Sequence, residues 1–269
     1  MIPTPSHIAE KFYAIREQKP LIQNITNYVV MDFTANLLLA IGASPAMIHA
    51  PKESGEMTSI SDALLLNIGT LSLPWLEGMI RSLQTARTFQ KPVVLDPVAV
   101  GCTQFRHQAI EMLLEHNYIT VIKGNASEIL ALHQHATTTA AKGPDSINAV
   151  SEAVDAAIAV ANQYNCVVAV TGEDDFVTDG TQKAWVQNGH PLLQFITGTG
   201  CGAGAVIASF LTVEKTPFSA TIAALSAYGI AAEIAGNTAS APASFRTAFI
   251  DALFTLSKDQ ICQMAKIKA

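Results

Sequence analysis

Charge is scarce in this chain. Only 14% of its 269 residues are Asp, Glu, Lys or Arg, whereas 49% are hydrophobic. A disordered chain has the opposite balance, so disorder is excluded. Positive charge is the scarcer sign, with 16 Lys+Arg against 22 Asp+Glu and a net charge of −6. No basic run occurs, so nucleic acid is not an expected partner. The few C-terminal lysines, Lys258, Lys266 and Lys268, read as a solvated helix tail. Cysteines number four, Cys102, Cys166, Cys201 and Cys262, and no C-x-x-C pair occurs. That argues against a zinc site and for a reducing compartment. The N-terminus, MIPTPSHIAEKFY, lacks the basic-then-apolar order of a secretory signal. The longest apolar runs, Cys201–Val213 and Phe218–Ala232, fall short of the ~20 residues that span a bilayer. A cytoplasmic protein without a membrane partner is the expectation. His133-x-His135 sits in a polar stretch and offers no metal pattern. There is no G-x-S-x-G, H-E-x-x-H or Gly-Lys-Ser/Thr string, so serine-hydrolase, zincin and P-loop chemistries fall away.

What is present is a long alternation. Strand-like runs at Ala63–Leu66, Val93–Leu95, Ile119–Ile122 and Val167–Val170 separate helical patterns at Trp75–Thr88, Arg106–Glu115, Asn125–His133 and Ser146–Tyr164. Apolar strands at helix-sized spacing predict βαβ units and a mainly parallel sheet covered on both faces. A hairpin signal follows around Asp179-Gly180, and the last third is helical and Ala-rich. No repeat or linker interrupts the chain, so one α/β domain over residues 1–269 is expected. A chain of this size can remove roughly 73% of its surface from water without disulfides.

The ends of the strands carry the polar residues: Asn67-Ile-Gly69, Asp96-Pro97, Lys123-Gly-Asn125 and Thr171-Gly172. Ligands of open α/β sheets bind at the carboxyl ends of strands. The four ends thus place an amide, a carboxylate, an ammonium and a hydroxyl along one rim. Polar residues end strands in any protein, but four on one edge favour a site. The strongest local signal is Ile196-Thr-Gly198-Thr199-Gly200-Cys201-Gly202-Ala-Gly204 before an apolar helix. Gly198, Thr199, Gly200 and Gly202 can form an amide nest for phosphoryl oxygens at the positive end of that helix. Cys201 falls in its first turn, where a thiol's pKa can be lowered. Asp96 and Glu128 are the carboxylate candidates, and together they suit Mg²⁺ held through waters. Asn125 and Glu128 also have capping-box spacing, so capping and function weigh equally for Glu128. Asn24 reads first as a helix cap before a helix from about Val29. Met47 reads as core within a short strand, Ala46–Ile48.

These stretches, in order, resemble the hydroxyethylthiazole kinases of the ribokinase-like superfamily. The matching segments are QNITNYVVMDFTANLLLAIGASPAM, LLLNIGTL, KPVVLDPVAVG, VIKGNASEI, VAVTGEDDFVTDG and ITGTGCGAGAV. The resemblance covers most of residues 20–210. It implies a mostly parallel sheet flanked by helices on both faces, assembled as a homotrimer with sites near the subunit boundaries. It implies transfer of the γ-phosphoryl of ATP to 4-methyl-5-(2-hydroxyethyl)thiazole, with Mg²⁺, in thiamine salvage. It places Asn24, Met47 and Gly198 at the thiazole, Lys123 and Thr171 at ATP, and Asp96 and Glu128 at the magnesium. Cys201 falls where the wider superfamily carries an aspartate beside the accepting hydroxyl. Three features depart from the family pattern. Lys123 stands for an arginine, Ala241-Pro-Ala243-Ser-Phe245 for a glycine-rich turn, and Cys102 for a small non-thiol residue. A kinase for a pyrimidine alcohol and a non-catalytic binding protein are the alternatives.

Overall fold

The computed structural model describes residues 1–134 and 150–269. Its elements run α1 (Pro5–Gln18), β1 (Leu21–Ile25), α2 (Met31–Ile41), β2 (Ser44–Ala46), α3 (Ser54–Ile60), β3 (Ala63–Asn67), α4 (Leu73–Thr88), β4 (Val93–Asp96), α5 (Gln104–Leu114), β5 (Val121–Asn125), α6 (Ala126–Gln134), α7 (Val154–Tyr164), β6 (Val167–Thr171), β7 (Asp175–Thr178), β8 (Lys183–Val186), α8 (Thr199–Val213), α9 (Pro217–Gly236), α10 (Pro242–Thr255), α11 (Lys258–Met264) and β9 (Ile267–Lys268). The strands form one nine-stranded sheet in the order β2-β1-β3-β4-β5-β6-β7-β8-β9. From β2 to β6 all pairings are parallel. The last three are antiparallel, beginning with the β6–β7 pair and the hairpin expected at Asp179-Gly180. Gly180 turns that hairpin with φ +91°.

The central strands are apolar without alternation because both faces are covered. Ala63 and Leu65 of β3 enter one core, and Leu64 and Leu66 enter the other. β4 and β6 divide the same way, Val94 and Ala169 to one side, Leu95 and Val170 to the other. Residues two apart on a strand share a face, so a doubly covered strand needs apolar side chains at both parities. The first core includes α1, α2 and α8–α10; the second includes α4–α7.

Several expectations change in detail. The C-terminal lysines do not end in a helix tail. Lys258 opens α11, Lys266 pairs with Glu233 at 3.0 Å, and Lys268 extends the sheet opposite Trp185. The apolar run from Phe218 is longer than its composition suggested, because α9 spans 20 residues. By length and composition α9 could cross a membrane, but 89% of its 18-residue apolar stretch is buried inside the protein. Small side chains let it lie in the middle of the helical layer. α2 starts at Met31, after a Val30 cap without a side-chain hydrogen bond. Asn24 is therefore no cap; it lies within β1 and is fully buried. Met47 lies just past the end of β2, half-buried. Residues 146–149 of the expected helix Ser146–Tyr164, and His135, lie outside the described residues. Ala241 and Ala243, where the resemblance implies glycines, are unstrained. Ala241 has φ −137° and caps α10, and Ala243 is not among the residues with positive φ.

Candidate active site

Strand parity decides which polar ends meet. Asn67 shares its face with Leu65, Asp96 with Val94, Lys123 with Val121 and Thr171 with Ala169, and all four apolar residues belong to the core that contains α8. The polar strand ends thus face the layer of α8. Register aligns them: Asn67 stands opposite Asp96, and Asn125 opposite Thr171. The rim read from the sequence exists.

α8 meets this rim with its first turn. Gly198 caps it with φ +98°. A Cβ there would also stand 2.8 Å from Val30 Cγ1, so glycine is required for both conformation and space. Gly202 N–H makes the first helical bond, to Gly198 O at 2.7 Å. The amide of Gly202 is thus used inside the helix, and that of Thr199 turns to Ile196 O at 3.4 Å. The amides of Gly200 and Cys201 precede the first helical bond, where a helix leaves donors for a ligand. Gly202 is small because its Cβ would stand 2.3 Å from Leu37 Cδ1. The Tyr228 hydroxyl donates to Thr199 O at 2.7 Å and holds the turn from behind.

Lys123 ties α8 to the sheet. Its Nζ lies 3.3 Å from Asp96 Oδ1 and donates to Gly200 O at 3.0 Å. On the other side of Asp96, Asn67 Nδ2 donates to Oδ2 at 2.7 Å. Asn27 Nδ2 donates to Asn67 Oδ1 at 2.9 Å and reaches Cys201 Sγ at 3.5 Å. Backbone amides orient both asparagines: Val29 N–H donates to Asn27 Oδ1 and Gly69 N–H to Asn67 Oδ1. An unbroken chain therefore runs from the thiol through two amides and a carboxylate to the ammonium. The asparagine at the thiol is Asn27, not Asn24. Asn24 donates to Ile22 O, and its Oδ1 has no partner. Asn27 follows the exit of β1 as Asn67 ends β3, so the strand-end rule, extended to β1, finds it. Nothing in the sequence pattern points to Tyr228.

Burial dominates the electrostatics. It opposes charging Lys123, but Asp96 and Glu128 outweigh it and hold the ammonium above its ordinary pKa. The Cys201 thiol is pushed up to about 11, by burial first and by Asp96 second, against the pull of Lys123 and the two asparagines. A helix N-terminus can lower a thiol's pKa, but burial dominates here, and the thiol is protonated at neutral pH. Cys166 is buried and raised to about 12, as befits an inert core thiol. Cys102 and Cys262 are exposed. Glu128 completes a capping box: Asn125 N–H donates to its Oε2 at 2.8 Å, and Glu128 N–H donates to Asn125 Oδ1 at 2.9 Å. Its Oε1 accepts from Ala99 N–H at 2.9 Å, so it also pins the exit of β4. Burial, then Asp96, raises its pKa. Thr171 is half-buried and donates to Gly124 O at 3.4 Å. Beside Gly198 an open groove of about 380 Å³ is lined by Val29, Phe33, Phe195, Ile196, Pro242 and Arg246, among others.

The arrangement is a neutral thiol, two amides ahead of the first helical bond and a carboxylate–ammonium pair at the mouth of a parallel sheet. Comparison with known proteins finds relatives along nearly the whole chain. The model of the hydroxyethylthiazole kinase family matches residues 12–259. A hydroxyethylthiazole kinase from Desulfotalea psychrophila is 44% identical over 260 residues, covering 97% of this chain and 94% of that protein. The solved structure of the hydroxyethylthiazole kinase protein from Pyrococcus horikoshii superposes with a TM-score of 0.90 at 41% identity, over 97% of this chain and 98% of that one. A ribokinase-like superfamily protein from Enterococcus faecalis shares the fold alone, with a TM-score of 0.62 at 12% identity over 88% and 87% of the two chains. The family match spans every element that builds the rim and the first turn of α8, and so the chain belongs to the hydroxyethylthiazole kinase family.

Proposed function

We propose that this chain transfers the γ-phosphoryl of ATP to the primary hydroxyl of 4-methyl-5-(2-hydroxyethyl)thiazole, a salvage step toward thiamine. The observation that carries the reading is the meeting of Cys201, Asn27, Asp96 and Lys123 at the first turn of α8. Phosphoryl transfer has a loose transition state, so positioning and charge stabilisation outweigh the need for a strong base. The amides of Gly200 and Cys201 face the equatorial oxygens, with Gly198 and Thr199 shaping the turn. The protonated Cys201 orients the hydroxyl rather than removing its proton. The thiazole lies against Met47 and Gly198 on the β1–β2 side, where Asn24 ends its strand's polar set. Lys123 and Thr171 border ATP.

Mg²⁺ fits the donor set in one manner only. Among the described residues no cluster of three or more His, Cys, Asp or Glu can cage a metal. Asp96 and Glu128 nevertheless put two carboxylates against one ammonium, a surplus of negative charge suited to an ion completed by water and phosphate oxygens. When bound, Mg²⁺ neutralises charge on those phosphates. The homotrimer is part of the same reading. Val29 and Phe195, at 65% and 63% exposure beside the groove, are the apolar surface such an assembly would cover.

The test is ATP-dependent phosphorylation of the thiazole alcohol, with and without Mg²⁺, beside a pyrimidine alcohol. Turnover preferring the thiazole is expected. Saturable binding with no ATP consumption would overturn the reading. Cys201→Ala should lower kcat with ATP binding intact, and Cys201→Asp should keep or raise it. Light scattering on the purified protein decides the trimer.

A further inference from the structure

Arg106 stands in an electrostatically poor place. It is the third residue of α5, after the Thr103 cap, whose Oγ1 accepts Arg106 N–H at 3.3 Å. A helix N-terminus disfavours cations, and this first turn holds no acidic residue. Among the described residues no carboxylate pairs with Arg106. A local rule broken without local compensation marks a residue with work elsewhere.

Its partners are backbone carbonyls. Nη1 donates to Ile68 O at 2.5 Å and to Val98 O at 2.8 Å, and Nη2 donates to Gly69 O at 2.5 Å. Ile68 and Gly69 leave β3, just after Asn67. Val98 leaves β4, just after Asp96. The same two exits converge on Asp96, whose own carbonyl accepts Val98 N–H at 2.9 Å and Ile68 N–H at 3.3 Å. The β4 exit is under tension: Ala99 is held at φ +56°, a region that L-residues avoid. Glu128 restrains it at one point, through Ala99 N–H, and Arg106 at a second, through Val98 O. A planar guanidinium can reach three carbonyls in fixed directions, and an ammonium cannot.

We propose that Arg106 is a positioning residue for phosphoryl transfer: it latches the exits of β3 and β4 to each other and so holds Asn67 and Asp96 in register with Cys201 and Lys123. The proposal rests on the kinase reading of that site. Arg106 touches neither substrate, and it acts through the asparagine chain.

The test compares Arg106→Ala, Arg106→Gln and Arg106→Lys with the parent enzyme. In each, kcat should fall about 10- to 100-fold, the scale of a misplaced reacting group, while KM for both substrates stays near that of the parent. Millimolar guanidinium should restore part of kcat to Arg106→Ala, whereas equal NaCl should not. Alkylation of Cys201, resolved by peptide mass spectrometry, should change rate as Asn67 and Asn27 shift, with exposed Cys262 as the unchanged reference. An Arg106→Ala enzyme with the parent's kcat would overturn the proposal. So would a loss of kcat that follows the unfolded fraction, resists guanidinium and leaves Cys201 alkylation unchanged. If Arg106→Ala does not fold, Arg106→Lys decides the matter on the same kcat and alkylation readouts. A parent without kinase activity would refute the reading of the site, while the alkylation result would still judge the latch.

Discussion

Replacing Lys123 by methionine tests how the site bears its buried charge. Lys123 is 3% exposed and Asp96 0%, so neither side chain has water to fall back on. Removing one partner of a buried ion pair costs about 3–5 kcal/mol, because the other charge is left uncompensated. For a chain of this length that is a fall of roughly 6–20 °C in Tm. The pH dependence gives the sharper check. Burial already lifts the Asp96 pKa, and Lys123 and Asn67 pull it back down. Without the ammonium it rises further. A carboxyl with a raised folded-state pKa binds a proton that the unfolded chain does not, so stability increases as pH falls through that pKa. Lys123 itself contributes nothing to the wild-type slope in this range. Its folded-state pKa is raised, so its stabilisation is complete below the unfolded value and is lost only in strong base. The gap between Lys123→Met and wild type should therefore narrow between pH 8 and pH 5, by at most about 1.4 kcal/mol per pH unit. Urea unfolding of both proteins across that range measures it. Adding Asp96→Asn should recover part of the lost stability, since it removes the nearer of the two buried carboxyls that Lys123 faced, while Glu128 keeps its two backbone amides. Kinase activity should stay lost in the double variant. An equal gap at both pH values, or a double variant less stable than Lys123→Met, would refute the argument.

Three further outcomes follow from the packing. Gly202→Ala places a methyl 2.3 Å from Leu37 Cδ1 and should cost about 1–3 kcal/mol in thermal unfolding, and combining it with Leu37→Ala should cost less than the sum of the two single losses. Gly69→Ala puts a Cβ 2.5 Å from Asn27 Nδ2 and should displace that amide from Cys201, lowering kcat more than it lowers Tm. Alkylation of Cys201 should still be accelerating at pH 10, because the thiolate is the reactive form and its pKa is pushed up to about 11; a plateau near pH 8 would contradict the burial of the thiol.

The central strands were legible because both their faces are apolar, and a doubly covered strand leaves no other pattern. Their polar ends were legible for the complementary reason: a parallel sheet stops burying residues where its ligand crevice opens. Asn24 and Asn27 show where that reasoning ends. Three residues apart in an Asn-rich stretch, both suit a cap or a site, and only the end of β1 at Ile25 separates them. That boundary depends on pairing with β2 and β3, which the local sequence does not contain. Tyr228 escaped notice because its role comes from a crossing of α9 over the start of α8, between residues 29 apart in sequence. The raised cysteine pKa was not legible for a related reason. A helix terminus is visible in sequence and lowers it, whereas the burial that outweighs it is a property of the assembled core.

The raised pKa bears on why a thiol suits this position. Asp96 and Glu128 already place two negative charges around one buried ammonium. A carboxylate at 201 would add a third beside Asp96, in a place with little water to screen it. Such a group must either hold its proton or depend on a cation brought by the substrate. A protonated sulfur avoids that choice, because it adds no charge and still accepts from Asn27. It leaves the amides of Gly200 and Cys201 free of a competing anion. The positive end of α8 is then available to an incoming phosphoryl group without a further cation, whereas an aspartate at 201 would serve the same transfer with Mg²⁺ bound beside it to offset the added charge.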